Sequence, residues 1–103
     1  MKQVRHVRRL RRRGRWEVDI QGTSGLAGGD GVLMVVERPA LQLRCVALVA
    51  EDEDLGGHLR RAALQPGGGA APSRPQVICC RTEVRPRLQE VAKELGATLK
   101  AFL

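Results

Sequence analysis

The chain has 103 residues, 43% hydrophobic and 28% charged, with 18 Lys and Arg against 11 Asp and Glu for a net charge of +7. That length holds one domain with a small core, and with only Trp16 and Phe102 aromatic it leaves no platforms for stacking bases. The longest apolar runs, Val32 to Val36 and Cys45 to Ala50, fall far short of the roughly 20 residues of a membrane-spanning helix.

The positive charge is segregated. Lys2, Arg5, Arg8, Arg9, Arg11, Arg12, Arg13 and Arg15 precede Trp16 with no acid among them, and the remainder of the chain carries a net charge of −1. Residues 1–15 therefore read as a basic N-terminal arm and residues 16–103 as a single small α/β domain. Val4, Val7 and Leu10 recur every three residues in the arm, but eight like charges repel, so the arm is expected to hold little structure of its own. No apolar stretch follows it, which excludes a secretory signal. An Arg-rich, acid-free start also suits an organellar transit peptide, but the stretch has none of the Ser such peptides carry.

From Trp16 the pattern changes. Trp16, Val18 and Ile20 alternate with Glu17 and Asp19, which predicts a strand with one buried face. Gly22 to Gly31 is a Gly-rich loop. It lacks the Gly-Lys-Ser/Thr signature of a phosphate cradle, and no strand–helix unit surrounds it. Val32 to Val36, a turn at residues 37–40, and alternating Leu41, Leu43, Cys45, Ala47 and Val49 predict an antiparallel hairpin.

The acids Glu51, Asp52, Glu53 and Asp54 suit the start of a helix, and Leu55, Leu59, Ala62 and Ala63 supply its apolar stripe. Gly56 and Gly57 soften that helix, and Pro66 with Gly67–Gly69 ends it. Val77 to Cys80 is a continuous apolar run, expected of a central strand covered on both faces. Thr82 is expected to cap the next helix, whose stripe is Val84, Leu88, Val91, Ala92 and Leu95, with Pro86 tolerated in its first turn. Gly96 stops it, and a last strand follows. The order β-β-β-α-β-α-β predicts a mixed sheet of about five strands with helices packed on it.

Cys45, Cys79 and Cys80 form no metal-ligand spacing with each other or with His6 and His58. Their apolar surroundings predict structural thiols in a reducing, cytoplasmic compartment. His58 has no nucleophile partner in view and reads as a surface histidine.

The segments WEVDI (16–20), VLMVVERPALQLRCVALVAED (32–52), Arg74-Pro75-Gln76-Val77-Ile78 and LQEVAKELGATLKAF (88–102) together resemble the ribonuclease H-like superfamily, in its integrase and transposase core branch. The likeness is to small, catalytically reduced bacterial members. It implies that Asp19 stands where that family has its first metal-binding aspartate. At the end of the Val77–Cys80 strand, where the family has a second, the chain has Arg81 and Thr82, with Glu83 nearby. The family's third acid has no position before Leu103. Two-metal phosphoryl transfer needs several carboxylates around paired cations, so no catalytic residues are expected. Asp19 and Glu83 are the only candidates, with Mg at Asp19 as the cofactor they would need.

A charge run is ordinarily a solvated face of mixed sign, whereas eight cations without an acid are the footprint of polyanion binding. Lys2, Arg5, Arg8, Arg9, Arg11, Arg12, Arg13 and Arg15 are thus the candidate nucleic-acid-binding residues, contacting DNA or RNA backbone with little sequence selectivity. A metal-dependent nuclease, or an assembly subunit docking on an acidic partner, is the alternative. The open strand edges of so small a sheet allow a homodimer.

Overall fold

Two alternating runs flanking one continuous apolar run, then two strands each preceded by a helix, leave one economical arrangement. The first three strands meander, and the last two must be reached by crossovers. The computed structural model describes residues 7–22 and 31–102. Strands β1 (Arg15–Gly22), β2 (Gly31–Arg38) and β3 (Gln42–Val49) lead to helix α1 (Gly56–Leu64), β4 (Val77–Arg81), helix α2 (Arg85–Leu95) and β5 (Thr98–Phe102). The sheet order is β3-β2-β1-β4-β5. β2 runs antiparallel to both its neighbours, while β4 is parallel to β1 and to β5. The parallel pairs need long connections, which α1 and α2 supply.

Helices α1 and α2 lie on the same face of the sheet. Trp16, Val18, Leu33, Val35, Ile78 and Cys80 from the sheet share one buried cluster with Leu59, Ala62 and Ala63 of α1 and Leu88, Val91, Ala92 and Leu95 of α2. Burial of this aliphatic surface is the main stabilising term. The expected two-sided covering of β4 is not found. Ile78 and Cys80 are buried under the helices, but Val77 and Cys79 are only half-buried, because no helix of the described residues covers the opposite face.

β3 departs from strict alternation. Val35 pairs with Cys45 but Val36 pairs with Leu43, so Arg44 is the extra residue of a bulge. Past it, the inward set is Cys45, Ala47 and Val49, as the alternation predicts. Before it the phase inverts. Leu43 is 40% exposed and Leu41, which sits at φ 55°, is 64% exposed, whereas Arg44 points in with only 3% exposure.

Arg44 is satisfied by geometry. Its guanidinium donates to Glu37 Oε1 (2.7 Å), to the carbonyls of Ala62 and Ala71 (both 3.0 Å) and to that of Ser73 (3.4 Å). It also lies over the Trp16 ring, 5.1 Å from the centroid. One side chain thus ties β3 to α1 and to the segment leading into β4. Burial pulls its pKa below the ordinary value, and the Glu37 carboxylate opposes that pull.

The helix ends differ in part from expectation. α2 begins after Val84 with no side-chain cap; the carbonyl of Thr82, not its hydroxyl, accepts from the Arg85 amide. Pro86 falls in the first turn, and Gly96 closes the helix at φ 70°, the left-handed conformation glycine adopts without strain. The acids at 51–54 precede α1 rather than lie in its first turn, and Asp54 Oδ1 accepts from the Gly56 amide.

Candidate nucleic-acid interface

The cationic segment is packed against the sheet from residue 7 onward. The first strand and its parallel partner set up this docking. β1 pairs with β4 from Arg15 and Val77, and the same parallel pairing runs backward past both strand starts. The Gln76 amide donates to Gly14 O (2.9 Å), Arg13 to Arg74 O (2.8 Å) and Arg74 to Arg11 O (2.9 Å). Arg12 and Arg74 form an isolated parallel bridge.

Two further contacts hold the segment. Val7 is fully buried and Leu10 packs against the same cluster, so two of the three apolar residues spaced through the cationic run are anchors. Arg74 donates from Nε to Leu10 O (3.0 Å) and from its guanidinium to Leu95 O (2.8 Å). Arg8 donates to Lys93 O (2.8 Å). Both arginines therefore meet carbonyls at the C-terminus of α2, the negative end of its dipole. Over residues 7–15 the expected free arm is a fixed strap, because backbone pairing and apolar anchoring outweigh repulsion among solvated guanidinium groups.

The strap lies along one end of the sheet, the end where β1, β3, β4 and β5 start and β2 finishes. Arg8, Arg9, Arg11, Arg12, Arg13 and Arg15 are all exposed there. Among the described residues, Arg8, Arg9, Arg11 and Arg12 meet no carboxylate. Arg13 lies 3.6 Å from Glu37, and Arg15 and Arg38 lie 3.4 and 3.6 Å from Glu17. Glu37 is itself taken up by Arg44, and Glu17 is shared by two cations, so neither acid cancels the local charge. Arg15 and Arg38 also line a shallow cleft of about 380 Å³ with Gly14, Pro39, Gln76 and Val77. Lys2 and Arg5, and the loop residues 23–30, lie outside the described residues. Alternation and spacing gave no sign of Arg38, Arg74 or Lys93 as neighbours of the strap: the β1–β2 register sets Arg38 beside Arg15, backbone pairing across some sixty residues brings Arg74, and Arg8 reaches Lys93 at the end of α2.

Asp19 faces away from the helices at the other end of β1. Its Oδ1 accepts from Arg81 Nε (2.8 Å) and its Oδ2 from the Gln21 amide, while Arg81 also reaches Ile20 O (2.7 Å) and lies 3.4 Å from Glu83. Asp19 and Glu83 are thus brought together, but around a guanidinium. The expectation of a solvent-facing Asp19 beside Glu17 needs that one correction: it is ion-paired and its side chain is 30% exposed.

His58 is not the surface residue expected. Its side chain is 17% exposed, Nε2 contacts Glu53 Oε2, and Nδ1 is buried with no partner among the described residues. That contact, aided by the Ala50 amide, holds the Glu53 carboxyl below its usual pKa. Among the described residues no group of three or more His, Cys, Asp or Glu side chains is disposed to hold a metal ion. No helix of the described residues is long and apolar enough to cross a membrane. Of the thiols, Cys80 is buried and Cys45 and Cys79 are half-buried. Burial pushes the thiols of Cys45 and Cys80 upward in pKa, away from the reactive thiolate.

No family model matches the chain, and no curated protein matches it.

Proposed function

We propose that this chain is a non-catalytic nucleic-acid-binding protein that holds DNA or RNA backbone along its basic strap, on a ribonuclease H-like scaffold. The observation that carries the reading is the set of exposed guanidinium groups of Arg8, Arg9, Arg11 and Arg12, unmatched by any acid among the described residues and fixed along one sheet end. Pre-ordered cations lose less side-chain freedom on meeting phosphates than cations on a loose tail. Arg13 extends the same positive surface.

What supports the scaffold is the strand order β3-β2-β1-β4-β5 with β2 alone reversed. What supports a binding rather than a hydrolytic role is Arg81. Its guanidinium engages both Asp19 and Glu83, so the two acids that resemblance would assign to Mg already share a cation. The scarcity of aromatics, with Trp16 fully buried under the helices, favours contact with phosphates over stacked bases.

The test keeps the strap and removes its charge. Deleting residues 1–15 would also remove Val7 and the first pair of β1, so loss of binding in that variant would not separate charge from folding. The triple variant Arg9→Gln, Arg11→Gln, Arg12→Gln leaves both intact. It is expected to weaken duplex binding and to reduce the slope of log K against log salt by up to about 2.7, at roughly 0.9 per phosphate contact. Unchanged affinity and slope in a fluorescence-anisotropy titration would refute the reading.

A further inference from the structure

The open face of the sheet has two halves of different chemistry. Over β2 and β3 it is apolar: Met34, Leu43, Val46 and Leu48 are 36, 40, 55 and 68% exposed, with half-buried Val32 and Val36 between them. Register places Met34 beside Val46, Val32 beside Leu48 and Val36 beside Leu43, so the six form one contiguous patch. Soluble chains rarely leave such a surface without a partner.

Over β1 and β4 the same face carries two charged clusters. Arg15, Glu17 and Arg38 lie toward the strap end and sum to +1. Asp19, Arg81 and Glu83 lie toward the opposite end and sum to −1. Lys100 of β5, the register partner of Cys79, adds one cation, so the open face sums to +1 on a chain of net charge +7.

From this we infer that the open face is an interface between two copies of the chain, packed sheet on sheet about a two-fold axis that crosses the strands. That operation lays the apolar β2–β3 half of one copy on the same half of the other, as an isologous contact requires. It also reverses the strand direction, so that each +1 cluster faces a −1 cluster of the other copy. A nucleic acid finds little net attraction on this face, and an acidic or basic partner meets one matching cluster and one opposing cluster. A second copy matches both. Edge pairing through β3 is the less suitable geometry, because the bulge and inward-turned Arg44 blunt the first half of that edge.

The experiment is the oligomeric state of the full chain by sedimentation velocity and light scattering across a concentration series. The wild type is expected to dimerise. Val46→Lys and Leu48→Lys, each at a site already more than half exposed, are each expected to weaken the dimer by about tenfold or more, with the circular-dichroism spectrum and melting temperature of the monomer retained. Glu83→Lys turns the negative cluster positive and is expected to weaken the dimer further at low salt than at high salt. A monomeric wild type at the highest soluble concentration overturns the proposal, as does a dimer indifferent to both apolar-face variants. A dimer strengthened by Glu83→Lys does the same.

Discussion

Replacing Arg44 with Leu removes a buried cation while leaving its carboxylate in place. Glu37 is 7% exposed, and its second contact, Arg13, is 60% exposed at 3.6 Å, too distant and too solvated to replace the 2.7 Å bond to Arg44. The carbonyls of Ala62, Ala71 and Ser73 lose the same donor. Breaking one side of a buried ion pair costs about 3–5 kcal/mol. Against a typical total of about 5–15 kcal/mol, that is a large share, and at about 4 °C per kcal/mol it lowers the melting temperature by roughly 12 °C or more. Trp16 is the one tryptophan in the chain, and Arg44 lies over it, so its fluorescence in a urea titration reports the site directly. Arg44→Lys keeps the charge but not the multiple donors and should fall between wild type and Leu. Glu37→Leu combined with Arg44→Leu should recover part of the loss, since no charge is then buried alone. A cost below about 1 kcal/mol for Arg44→Leu would refute the view that this side chain organises the sheet–helix junction.

Three further outcomes follow from the geometry. Gly96→Ala puts a side chain at φ 70° with its Cβ about 2.5 Å from the Arg74 guanidinium; it should destabilise by about 1–2 kcal/mol in urea unfolding, and a neutral change would contradict the clamp on α2. Glu53 has its pKa lowered by His58 and by the Ala50 amide, so its contribution is present above the ordinary carboxylate value of 4.5 and fades as pH falls through the lower folded value. Glu53→Gln should flatten the acid limb of the urea-midpoint profile, and identical limbs would count against the contact. Cys80, fully buried with a raised thiol pKa, should resist a thiol reagent in the native state and react after denaturation; rapid native labelling at Cys80, mapped by mass spectrometry, would contradict its placement.

Element order was legible in the sequence because each segment carries a strong local signal: alternation at Trp16–Ile20, four- and seven-residue offsets at Leu88–Leu95, glycine at position 96. The errors have nonlocal causes. A one-residue bulge inverted the inside and outside of Leu43 and Arg44, and alternation alone holds no record of where a ladder slips. Val7 and Leu10 were visible as an apolar spacing, but their docking depends on Arg74, Gln76 and the end of α2, which the chain reaches only much later. His58 became part of a contact through Glu53, five residues away, where the loop before α1 turns back on itself. The arginines of the strap were identifiable from composition; their fixed position was not.

Phosphate recognition by the strap is tested most directly by the salt dependence of wild-type binding to a duplex of arbitrary sequence. With the four uncompensated arginines each meeting a phosphate, the slope of log K against log salt is about −3.6, and with all eight N-terminal cations engaged it reaches about −7. A slope between those values, unchanged when the duplex sequence is changed, is the expected result. A slope near zero, or no measurable binding at low salt, would contradict the account.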